Sequence, residues 1–147
     1  MNAVMVALRK MHNLERFATE IYRAQITAFP EKEISDRLKI ARDNEKEHTD
    51  NLKARIEKLG GKPSWQGFFF QMAGKILGCF TRIMGKMFIL KTDIWVETKA
   101  VKDYGAFLQR LNFDEESKAL VQRNLEDEKV HIKRWEDSVK LLKDKKR

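Results

Sequence analysis

Two copies of one spacing carry the chemistry of this chain: a lone glutamate, then Glu-x-x-His about 30 residues later. The first copy is Glu15 with Glu45-Lys46-Glu47-His48, and the second is Glu97 with Glu128-Lys129-Val130-His131. Each lone glutamate is followed seven residues on by a tyrosine, Tyr22 and Tyr104. On a helix, Glu and His three residues apart lie about one turn apart, so each pair can reach one metal ion. Hard carboxylates with one imidazole per metal suit iron or manganese better than zinc or copper. The expected ligands are therefore Glu15, Glu45, His48, Glu97, Glu128 and His131, arranged around two ions.

A buried carboxylate without a partner is costly enough to stay protonated or be replaced. Four of them converging in one core require cations. Two Fe2+ ions carry the four positive charges that balance four carboxylates with both histidines neutral. The reading that makes both Glu-His pairs ordinary surface pairs has to account for two copies and four helical seams at once.

Those seams define the elements that position the ligands. Val4, Leu8, Met11, Glu15, Ala18, Tyr22, Gln25 and Phe29 follow alternating steps of four and three, which places them on one helical face. Pro30 ends that helix and opens the next. The second seam is Ile34, Leu38, Ala41, Glu45, His48, Leu52, Arg55 or Ile56, and Leu59, stopped by Gly60-Gly61 and Pro63. The third is Met87, Leu90, Ile94, Glu97, Val101, Tyr104, Leu108 and Leu111. Asn112 or Asp114 can cap the fourth helix. Its seam is Ser117, Val121, Asn124, Glu128, His131, Trp135, Ser138 and Leu142. The expected fold is an all-α four-helix bundle, one domain over 1–147, with helices near 3–29, 31–59, 87–111 and 114–142. Glu20, Glu47 and Glu126 fall off the seams and are expected to be solvated.

Composition agrees with this class. The chain has 147 residues, two prolines, seven glycines and a net charge of +8, enough for one helical domain. Much of the charge is the tail Lys140, Lys143, Lys145, Lys146 and Arg147. Nothing aromatic or Gly-rich accompanies that tail to suggest nucleic-acid recognition. One cysteine, Cys79, excludes an internal disulfide and points to a reducing, cytoplasmic compartment. Met1 to Lys10 lack the layout of a secretory signal. No apolar run reaches the ~18 residues of a spanning helix.

The connection 64–86 is far greasier than a loop. Trp65, Phe69, Met72, Ile76, Phe80, Ile83 and Met87 fall on one stripe, and Gln71, Lys75, Arg82 and Lys86 lie opposite. Gly67, Gly74, Gly78 and Gly85 line another edge that permits close helix approach. This predicts a long amphipathic helix. It covers the bundle, forms a homodimer contact, lies on the inner face of a membrane, or guards an apolar substrate. Cys79 is expected there as a small apolar filler.

These residues carry a resemblance. The sextet is similar to that of the ferritin-like superfamily, including bacterioferritin and rubrerythrin, and most resembles the demethoxyubiquinone hydroxylase family. That likeness runs through His12-x-x-Glu15, Ile21-Tyr22-x-x-Gln25, Lys62-Pro63-Ser64, Ala73-Gly74-x-x-Leu77-Gly78, Gly85-Lys86, Val96-Glu97-Thr98 and Tyr104, from about Arg9 to Leu142. Met11, Leu14 and Asp103 depart from the family's usual Asp, Gly and His. The resemblance implies a ferritin-like di-iron enzyme, cycling between Fe2+ and Fe3+, that uses O2 to hydroxylate the ring of a membrane-held quinone in ubiquinone biosynthesis. Two electrons would come from an external donor, since no flavin or nucleotide fingerprint is present.

Tyr22 and Tyr104 either orient the ligands and relay electrons or serve as core aromatics. His12 is either a partner of the ligands or a partly exposed side chain. Two rival functions use the same bundle: a rubrerythrin- or ferritin-like peroxidase or ferroxidase, and a metal-stabilised scaffold binding a membrane or a partner helix.

Overall fold

The computed structural model describes residues 2–145, which leaves Met1 and the tail residues Lys146 and Arg147 outside. It contains five helices: α1 Ala3–Gln25, α2 Lys32–Lys58, α3 Gly67–Met84, α4 Lys86–Arg110 and α5 Glu115–Asp144. The fold is all-α and ferritin-like in plan, four long helices with α3 as the connection between its halves.

Local signals explain the helix ends. Asn2 caps α1, its side chain accepting from the Val4 amide at 2.9 Å. The periodicity predicts α1 to Phe29, but the helix gives way to a 3-10 turn at Ile26–Ala28. The cause is Pro30, which pushes Phe29 into an extended conformation at φ −112° and ψ 116°. Asp114, not Asn112, caps α5, accepting from the Ser117 amide at 3.0 Å. Gly85 does not lie on the glycine edge of α3; at φ +100° it forms the sharp turn between α3 and α4.

Contacts along the helices fix the topology. Gly74 of α3 sits against Phe17 and Gly78 against Ile21 and Ala24, while Gln25 reaches Thr81. Positions rise together on both helices, so α3 runs parallel to α1. That return path lets α4 start beside the end of α1, where Gln25 donates to Asp93 and Tyr22 to Glu97. The hairpin α1–α2 and the hairpin α4–α5 then face each other across the core.

Two apolar clusters fill the interior. One holds Ile21, Tyr22, Ile34, Leu38, Leu90 and Trp135, and the other holds Leu8, Met11, Leu52, Ile56, Tyr104 and Val121. The layer between them is where all four long helices contribute buried carboxylates and imidazoles.

The glycine edge sets the rotation of α3. Its small residues face α1, so its apolar stripe points outward: Phe68, Phe69, Met72, Ile76, Phe80 and Ile83 are exposed, as is Trp65 just before the helix. Cys79 is exposed too and does not fill the core as expected. No helix among the described residues is long and apolar enough to cross a membrane.

Candidate metal centre

All six residues singled out by spacing meet in the layer between the apolar clusters. Glu15, Glu45, His48, Glu97, Glu128 and His131 are each at most 3% exposed. Each lies on a helical seam that must face inward, and the four helices bring them together from α1, α2, α4 and α5. They form two overlapping groups: Glu15, Glu45, His48 and Glu128, and Glu45, Glu97, Glu128 and His131. Within each group, one ligand atom per residue lies within 4.8 Å of every other. Glu45 and Glu128 belong to both groups; Glu15 and Glu97 belong to one each.

The polar atoms aim at common centres more than at one another. His131 Nδ1 lies 2.9 Å from Glu45 Oε1 and 3.2 Å from Glu97 Oε1. His48 Nδ1 lies 3.1 Å from Glu128 Oε1. Yet both Nδ1 atoms, both oxygens of Glu45, both of Glu128 and Glu15 Oε1 are buried without an aligned hydrogen bond. Buried polar atoms are normally satisfied. Donor atoms crowded together but unpaired are what a bound cation satisfies, so this set fits two divalent ions.

Electrostatics point the same way. Burial, then the charges of Glu45 and Glu128, push the Glu15 carboxyl well above its ordinary range. Glu97 rises for the same reasons, burial first and then Glu128 and Glu45. Burial would push both histidines down, but the carboxylates around them, led by Glu128, raise both above their ordinary value. Burial likewise opposes ionisation of Glu45, yet its contacts with Glu15, His131 and His48 hold it well below the carboxylate range. The metal-free cluster gathers positive charge in the form of protons. Bound metal and protons compete for the same atoms.

The two tyrosines part company. Tyr22 donates its hydroxyl to Glu97 Oε1 and stacks at 5.5 Å on Trp135. Tyr104 is fully buried in the other apolar cluster, and its hydroxyl has no hydrogen-bond partner among the described residues. His12 is buried, not partly exposed, and falls in neither ligand group. Burial, then Arg16, lowers its pKa to about 4, so it is neutral at physiological pH.

Three carboxylates were not legible from the spacing. Glu20, expected in solvent, is buried and accepts from Arg23 and from Gln71 of α3. Asp93, one turn before Glu97, is fully buried and accepts from Gln25 at 3.0 Å. Asp127 approaches His48 Nε2 at 2.9 Å. Its place directly before the second Glu-x-x-His was the available signal.

Beside the ligands, a cavity of about 250 Å³ opens between α1, α3 and α4. Leu14, Phe17, Phe70, Ala73, Trp95 and Val96 give it apolar walls. Its polar lining is Glu15, Glu45, Glu97 and Glu128 at the floor, with Lys99.

No curated protein matches the sequence. A family model described as ubiquinone biosynthesis protein COQ7 matches residues 2–138, a span that takes in all six candidate ligands, the glycine edge of α3 and the apolar cavity. The chain belongs to that family, the demethoxyubiquinone hydroxylases of the ferritin-like superfamily.

Proposed function

We propose that this chain is a di-iron hydroxylase that uses O2 to add one hydroxyl to the ring of an apolar quinone-type molecule. The observation that carries the reading is the cavity: an apolar slot whose floor is the ligand cluster itself. The balanced reaction takes ring C–H, O2, two electrons and two protons to ring C–OH and water. The electrons come from an external donor.

A pair of iron ions supplies the O2 chemistry that side chains alone cannot perform. The residues supply position and dryness. Glu15 and His48 would hold one ion and Glu97 and His131 the other, with Glu45 and Glu128, common to both groups, available to either. Tyr22 of α1 holds Glu97 of α4. Phe17, Phe70, Val96 and Trp95 exclude water from the ring's place beside the ligands. At about 250 Å³ the cavity is smaller than the ~300–1,000 Å³ of sites that enclose a drug-sized ligand. It takes a ring and leaves an attached tail outside, against the exposed apolar stripe of α3.

That stripe suits an anionic membrane surface. Between Glu57 and Asp93 the sequence has no acidic residue, while Lys62, Lys75, Arg82 and Lys91 accompany the exposed Phe69, Met72, Ile76 and Ile83. Apolar burial and lipid charge then act together. A tail lying in the bilayer would reach the cavity without crossing water.

The test is single turnover. Anaerobically loaded with Fe2+ and reduced, the protein is mixed with a short-tailed demethoxyquinone and ¹⁸O2. One ¹⁸O in the ring product, by mass spectrometry, is the expected result. Fast oxidation by hydrogen peroxide with no ring product would move the assignment to a peroxidase. Glu45→Ala with His48→Ala should abolish product; stability loss with product retained would indicate a scaffold.

A further inference from the structure

The two halves of the ligand cluster are related by repeat, yet their histidines are supported differently. Asn44 precedes Glu45 as Asp127 precedes Glu128. Asp127 Oδ2 lies 2.9 Å from His48 Nε2, the nitrogen turned away from the ligand group. The residue at the equivalent sequence position of the other copy is an amide: Asn44 makes no bond to His131, and its Nδ2 leans toward Asp127 Oδ2 at 3.5 Å. Among the described residues the carboxylates that approach His131, those of Glu45, Glu97 and Glu128, all do so at Nδ1, and none supports Nε2 as Asp127 supports that of His48.

We propose that Asp127 is a positioning residue that makes the two metal positions unequal, so that the Glu15–Glu45–His48–Glu128 position fills first. The proposal rests on the two-metal reading above. The effect is local. A carboxylate accepting from Nε2–H fixes the tautomer that leaves the Nδ1 lone pair for metal, fixes the ring plane, and makes the nitrogen a better donor. His48 has this support and His131 lacks it, so the first ion gains and the second does not. Loss of such a partner typically lowers metal affinity about 10–100-fold. Asp127 stands half-open to solvent on α5, so removing it leaves no cavity.

The experiment titrates the metal-free full chain with Mn2+ anaerobically, following free Mn2+ by its EPR signal, with circular dichroism confirming that each variant is folded. Wild type should take two equivalents in two steps. The His48→Ala variant should lose the tighter step, and His131→Ala should keep it. Asp127→Ala should weaken the tighter step by about 10–100-fold. Asp127→Asn, which keeps an acceptor but no charge, should fall between it and wild type.

Two equal steps in wild type, or an unchanged tighter step in Asp127→Ala, would overturn the inference and leave the two-metal reading standing. Binding of no Mn2+, together with failure of Fe2+ to bind, would sink both. A merely structural Asp127 would shift the melting temperature of the metal-free chain and leave the ratio of the two steps alone.

Discussion

The hydroxyl of Tyr22 on α1 donates to Glu97 on α4, so two helices from opposite halves of the bundle are pinned together at one candidate ligand. Burial, then Glu97, pushes the Tyr22 hydroxyl well above its ordinary pKa, which keeps it a donor. Phenylalanine at 22 should keep the contact with Trp135 and lose this hold. Tyr22→Phe should weaken metal binding about 10-fold with little change in helix content, read by metal titration and circular dichroism. Unchanged affinity would reduce Tyr22 to packing. Tyr104→Phe is the contrast: its hydroxyl is buried without a partner among the described residues, and removing such a group is neutral or stabilising. Its denaturation midpoint should not fall.

The close contact of α3 with α1 depends on missing side chains. A Cβ on Gly74 would run into the Phe17 carbonyl, and one on Gly78 would lie 2.7 Å from Ala24 Cβ. Both obstacles belong to a rigid helix. Alanine at either position gains up to ~1 kcal/mol of helix propensity, but overpacking costs about 1–3 kcal/mol. Gly74→Ala should therefore destabilise the chain in urea. Gly105 in α4 has nothing within 4 Å of where its Cβ would stand, so Gly105→Ala should stabilise by roughly 0.5–1 kcal/mol. Equal effects at both sites would refute the packing argument.

These contrasts mark what was legible in the sequence. The convergence of the six candidate ligands was, because an ionisable residue in the middle of an apolar seam must face inward. Glu20 was not: its burial comes from Gln71 on α3, a neighbour placed there by the parallel crossing. Asp127 was not, because it acquires meaning only where α5 passes His48 of α2. Cys79 failed for a related reason. Periodicity gave α3 a stripe but not its rotation, and the glycine edge turned the stripe and Cys79 outward. The early end of α1 was written in Phe29-Pro30, where backbone sterics outweigh the apolar pattern.

Asp93 offers a test with a definite sign. Burial pushes its carboxyl well above the ordinary value of 3.8, and the bond from Gln25 only partly opposes this. A carboxyl raised in the folded state carries no penalty below its unfolded pKa and costs stability as pH rises above it. Asp93→Asn keeps an acceptor for Gln25 and needs no proton. Its urea midpoint should exceed that of the wild type at pH 7, and the gain should shrink toward zero below about pH 4. A variant less stable at every pH would show that Asp93 is ionised and paired in the native protein.

The outward stripe of α3 should behave as a docking surface that folding does not need. Ile76 and Ile83 are 67% and 83% exposed, so a charge there costs the folded chain little, within about 0.5 kcal/mol for a surface position. Against a bilayer the same charge must be pulled out of water. Ile76→Glu with Ile83→Glu should thus abolish sedimentation with vesicles rich in phosphatidylglycerol while leaving the thermal midpoint nearly unchanged. Lys75→Glu with Arg82→Glu should weaken binding to those vesicles through charge, by roughly 1 kcal/mol per residue removed, and should matter less at high salt. If the isoleucine pair instead lowers the oligomeric state in sedimentation velocity with no effect on vesicles, the stripe is a contact between copies of the chain. The two occupants make different demands: a lipid surface needs the basic residues beside the stripe, whereas a second copy would set those same charges against each other.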